Sequence, residues 1–186
     1  MRRFSPRAWL AALLLALALA FAAPAWTAPS GEAPAEALHF GLSAFRDGLY
    51  DPAAEALRGY LSKWPGGPGA ASARYYLAEA YLRGEKPPQA LGAFQEFLLR
   101  HPQDPRAPEA RLRVGELLEK RGDRAGAIQA YAALREGPHR PEALRRLAGL
   151  HAGAGEWLGA AKALEEFLRL APGHPGLEEA RFDHAL

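Results

Sequence analysis

Apolar and small side chains recur three or four positions apart through residues 35–170, in blocks that glycine and proline interrupt. Phe40, Gly41 and Ala44 form one set, and Ala53, Leu57 and Tyr60 the next. Leu77, Ala78 and Tyr81 are followed by Ala90, Phe94 and Phe97, then Val114, Gly115 and Leu118, then Ala127, Tyr131 and Leu134. Leu147, Ala148 and His151, and lastly Ala160, Leu164 and Phe167, complete the series. Spacings of three and four place each set on one face of an α-helix. With glycine and proline as punctuation, the pattern predicts helices over 35–47, 52–64, 72–83, 88–100, 108–121, 124–135, 141–152 and 156–170, and a further one over 177–186. Asp51 is expected to cap the second helix, with Pro52 at its first position.

The helices belong to a repeat. Pro65, Pro68 and Ala73-Arg74 return as Pro102, Pro105 and Ala110-Arg111, and again as Pro172, Pro175 and Ala180-Arg181. Between these phrases a glycine precedes an alanine by five positions, at Gly48 and Ala53, Gly122 and Ala127, and Gly155 and Ala160; Gly84 and Ala90 stand one residue farther apart. The four alanines are 37, 37 and 33 residues apart, a period proper to stacked helical hairpins. Small residues at Gly41, Ala78, Gly115 and Ala148 would let the first helix of each hairpin approach those alanines closely. The shorter last interval predicts a shortened linker after the third hairpin, where His139 replaces the closing proline. The segment 177–186 has no helix after it and reads as a cap over an otherwise exposed apolar face.

Composition excludes a sheet. Thr27, Val114 and Ile128 are the only β-branched residues among 186. The start of the chain must be set apart: Arg2, Arg3 and Arg7 precede an uncharged run from Ala8 to Ala25, ending in Ala-Pro-Ala. Residues 1–25 therefore read as a secretory signal, 26–34 as a linker and 35–186 as one repeat domain. The alternative is an uncleaved N-terminal membrane anchor, because the run approaches the roughly 20 apolar residues a bilayer needs. The formal net charge of +2 belongs to the leader, since residues 26–186 hold 20 basic and 21 acidic side chains. Without a basic stripe, nucleic acid is not an expected partner. The absence of cysteine leaves the domain to its core alone, without disulfides.

Candidate chemistry is sparse. His39, His101, His139, His151, His174 and His184 show no helical zinc spacing, and Ser5, Ser30, Ser43, Ser62 and Ser72 lie in no nucleophile elbow. Gly66, Gly67 and Gly69 lack the Lys-Ser or Lys-Thr of a phosphate loop. No catalytic residue, metal site, cofactor or small-molecule substrate is expected.

The hairpin pattern resembles the tetratricopeptide repeat family: a small residue with aromatic or leucine neighbours on the first helix, an alanine then an aromatic or leucine on the second, and a closing proline. The resemblance covers residues 35–186 and implies an all-α, right-handed superhelical solenoid of about four hairpins plus the C-terminal capping helix. It also implies a groove lined by the first helices, which maps to Leu38, Leu42, Phe45 and Arg46, then Tyr75, Glu79 and Arg83, then Leu112, Glu116 and Lys120, then Arg145, and Phe182 of the cap. Leu38, Leu42 and Leu112 have the equally open alternative of completing the core. The family's clamp for a C-terminal carboxylate needs asparagine, which this chain lacks.

The 37-residue spacing with Pro-x-x-Pro turns is similar to repeats of periplasmic proteins associated with the Tol-Pal machinery, and of the helical lipoprotein in outer-membrane β-barrel assembly. The former usually add a coiled coil and the latter need a lipidated cysteine, so the resemblance implies only the class. The expectation is a non-catalytic adaptor, periplasmic or secreted, that binds a protein or peptide in the cell envelope. Membrane contact is expected only if the leader is retained. Two alternatives are a self-associating structural module and an accessory subunit of an envelope enzyme complex.

Overall fold

The computed structural model describes residues 34–170, so the leader, nearly all of the linker, the expected cap helix and Phe182 lie outside the described residues. Eight helices follow one another: α1 Pro34–Arg46, α2 Tyr50–Lys63, α3 Ala70–Arg83, α4 Pro87–Arg100, α5 Ala107–Lys120, α6 Arg124–Ala132, α7 Arg140–Ala152 and α8 Trp157–Leu170. Consecutive helices pair into four hairpins, and each hairpin packs on the next to form a helical solenoid. Among the described residues there is no strand, and no helix is long and apolar enough to cross a membrane.

Close packing within each hairpin depends on the small positions. A Cβ placed on Gly41 would lie 2.8 Å from the Leu57 side chain, and one on Gly115 would lie 2.3 Å from the Tyr131 ring. Ala53, Ala78, Ala90 and Ala127 are fully buried. Around them Leu57, Phe94, Phe97, Tyr131 and Phe167 fill the space between helices, so loss of any one would leave a cavity costing about 2–5 kcal/mol.

The turns inside the hairpins share one geometry. The amides of Gly48 and Leu49 donate to the carbonyls of Phe45 and Ala44, those of Gly122 and Asp123 to Glu119 and Leu118, and those of Gly155 and Glu156 to Ala152 and His151. This pair of bonds, reaching back three and five residues, needs a left-handed residue at its centre, and the three glycines have φ of +77°, +82° and +74°. In the second hairpin the same two bonds run from Glu85 and Lys86 to Leu82 and Tyr81, and Glu85 takes φ +57°. Measured from the left-handed residue, all four turns reach their packing alanine in five steps; the extra residue at Gly84 is only apparent.

Three expectations are corrected. Asp51 does not cap α2: Leu49 precedes the helix, Asp51 lies inside it with Pro52 at the third position, and the Asp51 carboxylate instead receives Lys86 Nζ at 2.7 Å, tying one turn to the next. The cap falls on Asp123, which accepts the Gly126 amide at 3.0 Å and starts α6. The shortening after the third hairpin lies in α6, which has 9 residues against 14 in α2, α4 and α8, and not in the linker that follows.

Candidate protein-binding face

The first helices of the hairpins, α1, α3, α5 and α7, are joined side by side by polar and aromatic contacts. Phe45 of α1 meets the edge of the Tyr76 ring of α3 at 5.2 Å, and the Arg83 guanidinium stacks on Phe45 at 5.1 Å. Between α3 and α5, Arg113 Nε faces Glu79 Oε1 at 3.8 Å. Between α5 and α7, Arg146 reaches Glu119 at 3.3 Å and Glu116 at 3.8 Å. One continuous face results, graded from aromatic and apolar at α1 to a ladder of arginine and glutamate at α5 and α7.

Within the ladder, charges are matched over short range. Arg113 also reaches Glu116 at 3.1 Å and Glu109 at 3.8 Å. Glu142 accepts from Arg145 at 2.7 Å and from Arg146 at 2.8 Å. Burial pushes the Glu142 carboxyl up, but these two guanidiniums outweigh it and hold it below the usual carboxylate range. Glu79 has the opposite balance: burial dominates, and Arg113 and Arg83 only partly oppose it, so its carboxyl is raised. The reason is geometric. Arg83 approaches at 3.4 Å and Arg113 at 3.8 Å, and the facing Glu79 Oε1 and Arg113 Nε are buried without a hydrogen-bond partner.

The expected groove residues divide into three groups. Arg46, Arg83, Lys120 and Arg145 are exposed, and Glu116 is partly so. Leu38 and Leu42 are half-buried against Leu57, Tyr60 and Trp64, and Phe45 is half-buried against Ala44, Ala53 and Ala80. Tyr75, Glu79 and Leu112 are buried. Tyr75 sits in the core edge-on to Phe97 at 5.5 Å, with Arg106 stacked over its ring at 5.0 Å, so it offers no side-chain surface as an anchor. Leu112 likewise belongs to the core. Sequence reading named Glu79, Glu116 and Arg145 but missed their partners Glu109, Arg113, Glu119, Glu142 and Arg146. The signal was present as glutamate and arginine three or four apart on α5 and α7.

Among the described residues no group of three His, Asp or Glu side chains is placed to hold a metal ion. What the face carries is a floor of ion pairs, with Arg46, Arg83, Lys120 and Arg145 exposed at its surface, an arrangement suited to contact along an extended surface.

The family model described as tetratricopeptide repeat matches three overlapping stretches, 38–96, 78–141 and 120–175, covering the four hairpins. The chain belongs to the tetratricopeptide repeat family. Solved structures agree on the fold of this tetratricopeptide protein. MamA is 21% identical, over 73% of this chain and 77% of that one, with a TM-score of 0.60. The pilF protein of Pseudomonas aeruginosa is 20% identical, over 81% and 67%, with a TM-score of 0.62. A tetratricopeptide repeat protein from Parabacteroides merdae is 21% identical, over 83% and 59%, with a TM-score of 0.70. No curated protein matches the sequence. Tetratricopeptide repeats generally mediate protein–protein interaction and are typically non-catalytic scaffolds.

Proposed function

We propose that this tetratricopeptide protein is an exported, non-catalytic adaptor that binds a protein or peptide partner in the cell envelope along the face of its first helices. The observation that carries the reading is the continuity of that face across all four hairpins, with Arg46, Arg83, Lys120 and Arg145 exposed above a floor whose other charges are already paired. Arginine beside an aromatic ring, as at Arg83 on Phe45, is the type of group in which binding energy concentrates. Export rests on the basic start, apolar run and Ala-Pro-Ala site of residues 1–25.

Two measurements test it. N-terminal sequencing of exported material is expected to give a chain starting near Trp26; an intact Met1 chain in the membrane fraction would establish the anchor instead. A photo-crosslinking residue in place of Arg83 is expected to capture an envelope protein that the same residue in place of Glu55, exposed on the second helix α2, does not. Capture from Glu55 alone would place recognition elsewhere.

Self-association has its own support. Trp157 and Leu158 at the start of α8 are 70% and 71% exposed, an uncommon display of large apolar groups on adjacent positions. Solution mass across a concentration series separates a dimer from the monomeric adaptor.

A further inference from the structure

The second helices α2 and α4 do not close on each other. Between them lies an open cleft of about 510 Å³ whose floor is Leu77 and Tyr81 of α3. The volume is within the roughly 300–1,000 Å³ usual for ligand sites.

Its charge is one-sided. Arg58 of α2, Arg74 of α3 and Arg100 of α4 line the cleft, and Glu96 is the one acid that does. Glu96 Oε1 serves two of the three, taking Arg100 Nε at 3.2 Å and Arg74 Nε at 3.5 Å. Arg58 is exposed and has no ion-pair partner among the described residues. Arg74, only 5% exposed, is fixed by a 2.8 Å bond to the Pro65 carbonyl and by His101 Nε2 at 3.3 Å, so its positive charge is held at a set depth. In the ladder of α5 and α7 guanidiniums and carboxylates are matched, whereas here three guanidiniums share one carboxylate and two positive charges remain uncompensated.

The wall is also open to a neighbour, as Gly59 and Gly149 are on their own helices. Gly92, in the middle of α4, lines the cleft, and a Cβ there would meet nothing within 4 Å. A helix-interior glycine costs about 0.5–1 kcal/mol relative to alanine, and no contact among the described residues requires it. Its bare backbone leaves room for a chain lying in the cleft.

We propose that this cleft binds an acidic peptide segment of a partner protein, its carboxylates reaching Arg58 and Arg100 while its backbone passes over Gly92. This site is separate from the first-helix face, and the cleft and that face are tested by different variants.

The probe is a fluorescein-labelled octapeptide of alternating Glu and Ala, titrated by anisotropy at low salt against the exported chain, with a Lys-Ala octapeptide as control. Saturable binding of the acidic peptide is expected, at least tenfold tighter than the lysine version. Arg58→Glu and Gly92→Leu are each expected to weaken it at least tenfold; Gly92→Leu changes no charge and adds its side chain in open space, so the thermal midpoint should hold or rise. A double Arg83→Glu, Arg145→Glu variant, altered only on the first-helix face, is expected to bind the probe normally. Equal affinity for both peptides, or unchanged binding by Gly92→Leu, would overturn the proposal. So would loss of binding in the first-helix variant alone, which would move the acidic site to that face. Displacement by millimolar inorganic phosphate at matched ionic strength would reassign the cleft to a free anion and overturn the peptide.

Discussion

Replacing Glu85 by glycine is expected to stabilise the protein. Glu85 is the one non-glycine among the described residues with positive φ, at +57°, and it occupies the place held by Gly48, Gly122 and Gly155 in the other three hairpins. An L-residue in this conformation brings its Cβ against the following carbonyl, at a cost of roughly 1–2 kcal/mol. Its side chain gives nothing back, being exposed and without a hydrogen-bond or ion-pair partner among the described residues. Glycine would release the strain but adds about 0.5–1 kcal/mol of unfolded-chain entropy. The net expectation is a gain of about 0.5–1 kcal/mol, or roughly 2–4 °C in thermal midpoint for a domain of this size.

Urea unfolding followed by helical signal measures the gain, with Gly122→Ala as the mirror experiment. Gly122 has φ +82° and nothing within 4 Å of a Cβ, so alanine there meets no side chain and isolates the backbone term. It should lose about 1 kcal/mol. A Glu85→Gly protein no more stable than the parent, beside a neutral Gly122→Ala, would refute the reasoning. Both turns would then tolerate side chains equally, and the shared geometry would carry no conformational requirement.

Gly115→Ala should cost about 1–3 kcal/mol by driving a methyl into Tyr131, whereas Gly92→Ala should gain about 0.5–1 kcal/mol; thermal melts of the pair decide it. Arg74→Ala should lose about 1.5–3 kcal/mol, because its charged hydrogen bond to the Pro65 carbonyl and its buried stem go together, and urea midpoints read it. Two carboxyls should move acid stability in opposite directions. Arg106 holds the Asp104 carboxyl down to about 2, so its contribution is complete above the unfolded carboxylate range and fades as pH falls from there toward 2. Burial raises Glu79, so the folded state takes up its proton first and stability contributed by this site increases as pH falls through its raised value; Glu79→Gln should remove that rise from a urea-midpoint profile between pH 7 and 4.

The hairpins were legible because the features that make them are local. A small residue opposite an alanine, a glycine five steps before that alanine and a proline at the close are all read within one repeat, and Gly41 against Leu57 is the contact such a pattern requires. Depth was less legible than face. Tyr75 lies on the expected side of α3, but Arg106 and Phe97, from the next inter-repeat turn and from α4, cover it, and nothing in its own helix announces that. Glu109 and Arg113 were missed for a related reason: each reads alone as a solvated helix residue, and becomes part of a ladder only when α3 and α5 are side by side. Asp51 before Pro52 had the composition of a cap, yet the chain enters α2 two residues earlier and the carboxylate is used by Lys86.

The 33-residue interval, which breaks the 37-residue period, shows what the fold holds constant. Trp64 and His101 follow their packing alanines by 11 residues, and Leu134 follows Ala127 by 7. Four residues are one helical turn and about 40° more, so the chain leaving the shorter α6 still delivers Leu134, two residues past the helix, to the core, where it is as buried as Trp64. Loss of two residues would have rotated it to the opposite face. The brace between repeats is kept by the same economy of position. Arg74 joins the Pro65 carbonyl of the preceding turn to Glu96, six residues past Ala90; in the fourth repeat Leu144 occupies the corresponding place, and Arg140 does the joining, from the Leu134 carbonyl at 2.7 Å to Glu166 at 2.8 Å, six residues past Ala160. The arginine has moved to the first residue of its helix and the carbonyl has moved back by one, from the residue after Trp64 to Leu134 in the place of Trp64, while the carboxylate has kept its place. At these two junctions, between repeats of unequal length, the link is kept although the residue number is not.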